Sequence, residues 1–268
     1  MSLNKSKIEW CDLTWNPVTG CNHGCEYCYA RKMAKRFGTP YAETDNHEVT
    51  GKVENYNDTV RTGPYPYEFA PTFHKYKLNE PSKLKKPSKI FVCSMADLFG
   101  DWVPDEWTSE VFKSCEAAPQ HKYLFLTKNP KRYATAIPQW KAHHGMNNIW
   151  LGTTITNNED RSRVWELLNN TNKPINKFLS IEPLLGDIDM ERLEILCKGY
   201  KSKFTIGNYI DWVIVGAQSG PGAVKPKLEW IRSIVEQCKA AEVPIFVKNS
   251  LKPYWEGELI QEWPEGLK

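Results

Sequence analysis

Cys21-Asn-His-Gly-Cys25-Glu-Tyr-Cys28 places three thiols within eight residues, at the spacing C-x3-C-x2-C, with Tyr27 directly before the last. Thiolates are the usual ligands of iron–sulfur clusters, and a cubane [4Fe–4S] centre has four irons, each needing a ligand. Three neighbouring thiolates serve three irons and leave the fourth open. An open iron can hold a small molecule through an amine and a carboxylate, and S-adenosylmethionine offers both. Other readings of these residues stand beside this one. A disulfide framework goes with an even number of thiols in an exported chain. A structural zinc site is the closer rival, because His23 would complete a Cys3His set. Zinc modules usually draw on two separated ligand pairs, and the chain has no second C-x2-C and no H-x3-H. His23 reads as a loop residue or a donor behind the ligands.

The spacing, with an aromatic before the third cysteine, resembles the radical S-adenosylmethionine (radical SAM) superfamily. Ile8-Glu-Trp10, Thr14-Trp-Asn-Pro-Val-Thr-Gly-Cys21 and Ser94-Met-Ala-Asp-Leu-Phe99 are similar to the phage Gp37/Gp68 family. Leu126-Thr-Lys128, Leu179-Ser-Ile-Glu-Pro-Leu-Leu-Gly186, Asp211-Trp-Val-Ile-Val-Gly216 and Ser219-Gly-Pro-Gly222 continue the resemblance over nearly the whole chain. It implies a partial TIM-like barrel, a [4Fe–4S] cluster on Cys21, Cys25 and Cys28, and S-adenosylmethionine as cofactor. It also implies a mechanism. One electron from the reduced cluster breaks the S–C5′ bond, and the 5′-deoxyadenosyl radical takes a hydrogen from the substrate. The electron must come from an external one-electron reductant. A requirement for a partner protein is left open.

The chain has 268 residues, enough for one large α/β domain with a core. A net charge of +3 neither demands nor excludes nucleic acid. There is no apolar run long enough to span a membrane, and the N-terminus lacks a signal-peptide pattern. Eight cysteines in such a chain point to a reducing cytoplasm. Cys11, Cys93, Cys115, Cys197 and Cys238 read as inert thiols, the last four in apolar strand or helix patterns.

Part of Asp12–Gly20 is expected to be a first strand, although Asn16-Pro17 interrupts it. Tyr29–Phe37 reads as a helix closed by Gly38, with Arg31, Lys32, Lys35 and Arg36 on a solvated face. Residues 39–88 show no sustained period and read as an irregular insertion. Within it, Lys75, Lys77, Lys83, Lys85, Lys86 and Lys89 alternate with Tyr65, Tyr67, Phe73, His74 and Tyr76. That mixture suits a nucleic-acid backbone and unstacked bases, and it equally describes a solvated connector.

Six short apolar runs follow: 89–93, 123–126, 148–152, 177–179, 212–215 and 244–247. Such runs are the signature of parallel strands buried on both faces. Helical patterns separate them at Asp105–Ala118, Pro130–Ala142 with a break at Pro138, Glu159–Leu168, Met190–Cys197 and Leu228–Ala241. The alternation predicts a single α/β domain over 1–268, a partial (β/α) barrel of about six to seven parallel strands. Residues 250–268 form a tail packed on it.

In parallel α/β folds the chemistry sits at the C-terminal strand ends. Those ends carry Ser94, Asp97, Thr127, Lys128, Thr154, Thr156, Ser180, Glu182, Gln218, Ser219, Lys248 and Asn249. About half are expected to be helix caps or structural. By resemblance, Ser94 and Asp97 stand where the superfamily binds the amino group of S-adenosylmethionine, although Ser94-Met-Ala-Asp97 departs from its Gly-Gly-Glu-like motif. Thr154 and Ser180 would meet the carboxylate or ribose, Tyr27 the adenine, and Gly216, Gln218 and Ser219 the adenosine. Lys128, Glu182 and Lys248 are the candidates for substrate contact or proton transfer; a Lys–Glu salt bridge is the alternative. Three functions compete: a radical SAM enzyme modifying or repairing a nucleic-acid base, one acting on a small molecule or peptide, and a metal-stapled binding protein. The phage association and a broad resemblance to spore photoproduct lyase favour the first.

Overall fold

Short apolar runs can hide their backbone amides only by pairing side by side. The computed structural model describes residues 3–56, 59–137, 147–171, 175–190 and 206–268. The chain separates into two compact units, Met1–Thr127 with Thr135–Lys141, and Lys128–Ala134 with Ala142–Lys268.

In the first unit, β1 (Asn4–Lys5) pairs antiparallel with β2 (Leu13–Trp15). Pro17 then interrupts the ladder, as expected of a residue without an amide donor, and β3 (Val18–Thr19) follows. Helix α1 spans Tyr29–Phe37, the bounds expected. Gly38 ends it for want of space: a Cβ there would stand 2.5 Å from the Ala34 carbonyl oxygen. Strands β4 (His47–Val49), β5 (Val53–Tyr56), β6 (Thr59–Thr62) and β7 (Thr72–His74) lie in the stretch expected to be irregular. β3, β7 and β4 form one small sheet and β5 with β6 a hairpin. Strands of three or four residues are too short to show a period, which is why the sequence hides them.

β8 (Lys89–Val92) runs parallel to β2, pairing Leu13 with Ile90 and Trp15 with Val92. Helix α2 (Asp105–Glu116) opens with Asp105 and Glu106, which suit its positive end. It buries Trp107, Val111, Phe112 and Cys115. β9 (Lys122–Thr127) lies parallel to β8. Between α2 and β9 the rings of Phe112 and Phe125 stack at 4.9 Å. A short helix, α3 (Tyr133–Ala136), comes next.

In the second unit, β10 (Ile149–Thr154), β11 (Asn176–Ile181), β12 (Trp212–Val215) and β13 (Ile245–Val247) pair parallel in that order. Helices α4 (Ser162–Asn169) and α5 (Leu228–Ala240) lie among them in sequence. Every residue of β10 is buried. Gly152 is required there, because a Cβ would meet the Phe178 ring at 2.5 Å. The tail covers the edge of β13. Val247 N donates to Ile260 O (2.7 Å), and Trp212 Nε1 donates to Glu262 O (2.9 Å). An exposed strand edge is an aggregation hazard, and this pairing removes it.

Both units are thus mixed α/β, the first with parallel and antiparallel pairs in equal number and the second with the parallel pairs β10 to β13, and all seven expected strands are present. The expected helix over Met190–Cys197, the inert thiol Cys197 and the break at Pro138 reach or fall outside the described residues. No helix among the described residues is long and apolar enough to cross a membrane.

Trp212 is fully buried, with Trp263 at 5.1 Å and Phe246 at 6.0 Å between ring centroids. Replacing it with alanine leaves a large cavity and also frees the tail. Trp212→Ala is expected to cost about 3–5 kcal/mol, read as a lower urea midpoint with the tail more open to protease.

Candidate functional site

The thiol loop starts at a residue that only glycine can be. Gly20 has φ +86°, and a Cβ on it would lie 2.2 Å from the Ala70 carbonyl oxygen; both facts exclude a side chain. Its amide donates to Met95 O (3.0 Å), and that of Cys21 to Phe69 O (3.2 Å). The loop thus leaves the sheet braced on one side by the turn after β8 and on the other by the insertion. Farther along, Cys28 N donates to Cys25 O (3.2 Å). Cys28 is also the N-cap of α1, its Sγ accepting from Arg31 N at 3.4 Å. The Arg31 guanidinium reaches back to Cys21 O (3.1 Å) and lies over the Phe69 ring at 4.9 Å. One arginine therefore ties the two ends of the loop together.

Asp97 fixes the loop's middle. Its Oδ2 takes His23 Nε2 at 2.7 Å, while its Oδ1 accepts Phe99 N (3.0 Å) and Thr127 Oγ1 (2.7 Å). A carboxylate oxygen only accepts, so His23 presents Nε2–H. The His23 ring stands edge-on to Trp102 at 4.8 Å. Ser94 Oγ and Met95 N both donate to Asn16 Oδ1 at 3.1 Å, and Tyr29 OH donates to Ser94 O at 2.8 Å. Ser94 and Asp97, expected to face an amino group, are therefore engaged by the protein itself. His23 is a donor to Asp97. Asn16, Arg31 and Trp102 are site residues that sequence reasoning missed. Asn16 read only as a strand breaker and Arg31 only as part of a solvated face.

The donor set fits an iron–sulfur cluster in its chemistry. Cys21, Cys25 and Cys28 are partly exposed and in no disulfide. Cys21 and Cys28 lean on an apolar wall of Ala30, Ala34, Tyr65, Phe69 and Met95. Burial first, then the charge of Asp97, pushes the Cys21 thiol up to about 12. Among the described residues no three His, Cys, Asp or Glu side chains gather to hold a single ion. A cubane does not ask them to, since each thiolate has its own iron.

The second unit gathers a different set. Glu182 and Lys248 form an ion pair, with side chains 20% and 19% exposed. Ser180 Oγ donates to Glu182 Oε2 at 3.4 Å. Gly216 makes room for the pair, because a Cβ there would lie 2.7 Å from Glu182 Oε1 and 3.0 Å from Lys248 Cδ. The ends of β11, β12 and β13 thus meet at one polar point. Thr154 is buried, its carbonyl accepting from Arg163 (3.1 Å). Thr156 donates to Asp160 Oδ2 through its amide (2.8 Å) and its hydroxyl (2.7 Å). Gln218 Oε1 accepts from Val224 N (3.0 Å), Ser219 is exposed, and Lys128 and Tyr27 are partly buried.

The basic–aromatic stretch divides. Tyr65, Tyr67, Phe73 and His74 are buried in the first unit, so those rings cannot stack on bases. Lys75 is paired with Glu48, and Lys77 is half-buried, its pKa lowered by desolvation. Lys83, Lys85 and Lys86 remain exposed.

The family model described as protein of unknown function (DUF5131) matches residues 5–256. No curated protein matches the chain. Among solved structures, a cysteine-to-serine mutant of spore photoproduct lyase aligns with TM-score 0.53 and 10% identity, over 96% of this chain and 80% of that one. A tyrosine-to-phenylalanine mutant of the same enzyme gives 0.52 and 9%, over 92% and 78%. At that identity the likeness is one of fold.

Removing one partner of a mostly buried ion pair strands the other. Lys248→Met is therefore expected to cost about 2–4 kcal/mol. Glu182→Gln with Lys248→Met should cost less than that single change. A double-mutant cycle in urea reads the coupling; additive losses would show the pair to be idle.

Proposed function

Because the chain belongs to the family described as protein of unknown function (DUF5131), whose description names no activity, we propose a function from the thiol loop: a radical SAM enzyme acting on a nucleic-acid base. The single observation that carries it is the braced loop with three reachable, unpaired thiols at C-x3-C-x2-C spacing. Cys21, Cys25 and Cys28 would hold a [4Fe–4S] cluster. When bound and reduced, that cluster supplies the electron that splits S-adenosylmethionine into methionine and a 5′-deoxyadenosyl radical.

The chain's own residues do the rest. Asp97, through His23, holds the loop at fixed height over β8 and β9. Arg31 closes the loop on itself and on Phe69. Tyr65, Phe69 and Met95 keep water from one side of the thiols. We assign Tyr27 to the adenine, and Thr154 and Ser180 to the carboxylate or ribose of S-adenosylmethionine. Gly216, Gln218 and Ser219 go to the adenosine. Ser94 and Asp97 we assign to shaping the loop beside the amino end of S-adenosylmethionine. Lys128, Glu182 and Lys248 are assigned to substrate contact or proton transfer. The partial barrel, the resemblance to the phage Gp37/Gp68 family and a cytoplasmic setting belong to the same proposal.

A nucleic-acid substrate is supported by the likeness of fold to spore photoproduct lyase. The burial of the rings between Tyr65 and His74 favours the second reading, a small molecule or peptide. Gel shifts at low salt with single- and double-stranded oligonucleotides decide between them; no shift sinks the first.

The test of the chemistry is anaerobic. After reconstitution with iron and sulfide, dithionite and S-adenosylmethionine should yield 5′-deoxyadenosine, and Cys21→Ala, Cys25→Ala and Cys28→Ala should each abolish it. Asp97→Asn should keep the loop's hydrogen bonds in part and lower the yield less than Asp97→Ala. Zinc co-purifying in place of a brown cluster would leave a metal-stapled binding protein.

A further inference from the structure

The run Lys83-Leu-Lys-Lys-Pro-Ser-Lys89 carries four lysines and no acid. A merely solvated connector needs no fixed course, but this one is pinned along its length. Pro81 O lies 3.1 Å from His121 Nε2, and Leu84 O accepts from Gln120 Nε2 (2.9 Å). Lys86 O accepts from Ser88 Oγ (3.1 Å), and Ser88 O accepts from Lys122 N (3.0 Å). Lys89 N donates to Asp12 Oδ2 (2.7 Å), which occupies the acid next to the run. Lys83, Lys85 and Lys86 therefore stand exposed on a fixed backbone. Strand register adds to them. Lys122 pairs with Lys89 across β8 and β9, and the exposed Lys5 of β1 pairs with Leu13, itself the partner of Ile90. All of these residues belong to the first unit and cluster at the N-terminal end of β8 and β9. The thiol loop leaves from the other end, where Gly20 bridges to Ala96. The four residues of β8 put about 10 Å of strand between the two.

We infer that this face holds the phosphate backbone of nucleic acid without reading its bases, as an anchor apart from the thiol loop. The inference deepens the nucleic-acid reading proposed above and rests on it. Three observations select this occupant. The charged groups are all lysines, which suit phosphate as point charges and are depleted from protein interfaces. Among the described residues, every large apolar side chain that is exposed lies outside residues 80–122. The face thus offers neither the aromatic or Met anchor of a protein partner nor a platform on which a base could stack. The backbone is already set, so binding orders the lysine side chains alone and its entropic cost is small. A polymer held at one end of the strands raises the local concentration of its bases at the other.

The probes are a fluorescein-labelled DNA duplex of about 20 base pairs and an RNA duplex of the same sequence, titrated with the full chain and read by anisotropy from about 50 to 200 mM salt. Wild type should bind, and binding of either duplex alone also supports the anchor and names the source of the phosphate. Each phosphate contact contributes about 0.9 to the slope of log K against log salt on DNA. Lys83→Gln/Lys85→Gln/Lys86→Gln should therefore weaken binding about tenfold at low salt and lower that slope by about 2–3, equally for a second, unrelated sequence. Lys32→Gln/Lys35→Gln/Arg36→Gln, on α1 beside the thiol loop, should bind within about twofold of wild type. Both variants should form 5′-deoxyadenosine with dithionite at the wild-type rate when no nucleic acid is present. An unchanged slope in the first variant, or as large a loss in the α1 variant, overturns the anchor and leaves the substrate reading standing. Polyglutamate that competes as well as the duplex, charge for charge, marks a surface for acidic protein and overturns the anchor too. No binding by wild type sinks the anchor and the nucleic-acid substrate together, while the dithionite reaction judges the radical chemistry separately.

Discussion

One buried carboxylate holds the thiol loop in place. Asp97 is 5% exposed, and burying a charge is expensive unless its oxygens are satisfied. Its partners come from the loop (His23), from its own turn (Phe99 N) and from the end of β9 (Thr127). Hydrogen bonds to a charged acceptor are worth about 1.5–3 kcal/mol each, so the group is a fixed point among otherwise independent segments. The loop inherits the rigidity of two parallel strands. Asp97 also exacts a cost, since its charge adds to burial in opposing ionisation at Cys21.

The insertion explains itself against this loop. Phe69 and Ala70 face Gly20 and Cys21 so closely that no side chain fits at Gly20. They are held there by a stack of their own. His47 lies flat on Tyr67 at 3.5 Å, and the Arg61 guanidinium sits over both Tyr41 (5.1 Å) and Tyr67 (4.9 Å). Arg61 also donates to the Pro66 carbonyl at 2.9 Å. The aromatic richness that suggested a nucleic-acid surface serves instead to make a rigid wall from short strands and turns. The lysines at 83, 85 and 86 keep the solvated character expected of that stretch.

What the sequence could disclose follows from the range of each interaction. Strands buried on both faces are uniformly apolar, so β8 to β13 appear as runs with nearly their observed limits. Helix α1 is legible because Cys28, Gly38 and its period are all local. The strands of the insertion fall below the length at which a period exists. The role of Asp97 was hidden for a different reason: His23 and Thr127 lie 74 and 30 residues away, and position alone pointed to a ligand. Glu182 and Lys248 were picked out as strand-end charges, but 66 residues separate them, and only the fold shows that they meet. Gly216, expected to admit a cofactor's backbone contact, admits that pair.

Access sorts the described cysteines where acidity does not. Cys11, Cys93, Cys115 and Cys238 are buried, and only the three of the loop are partly open. Burial pushes Cys93 and Cys238 up to about 12, and Cys21 reaches about the same value. A thiol pKa therefore cannot tell the inert Cys93 from the candidate ligand Cys21. The difference is geometric. Cys93 is closed in at the end of β8, with its amide held by Trp15 O at 2.8 Å. Cys21 sits at the lip of a loop with two more thiols on the same short turn. The fold thus leaves the three loop thiols partly open to solvent and the other described cysteines to the core.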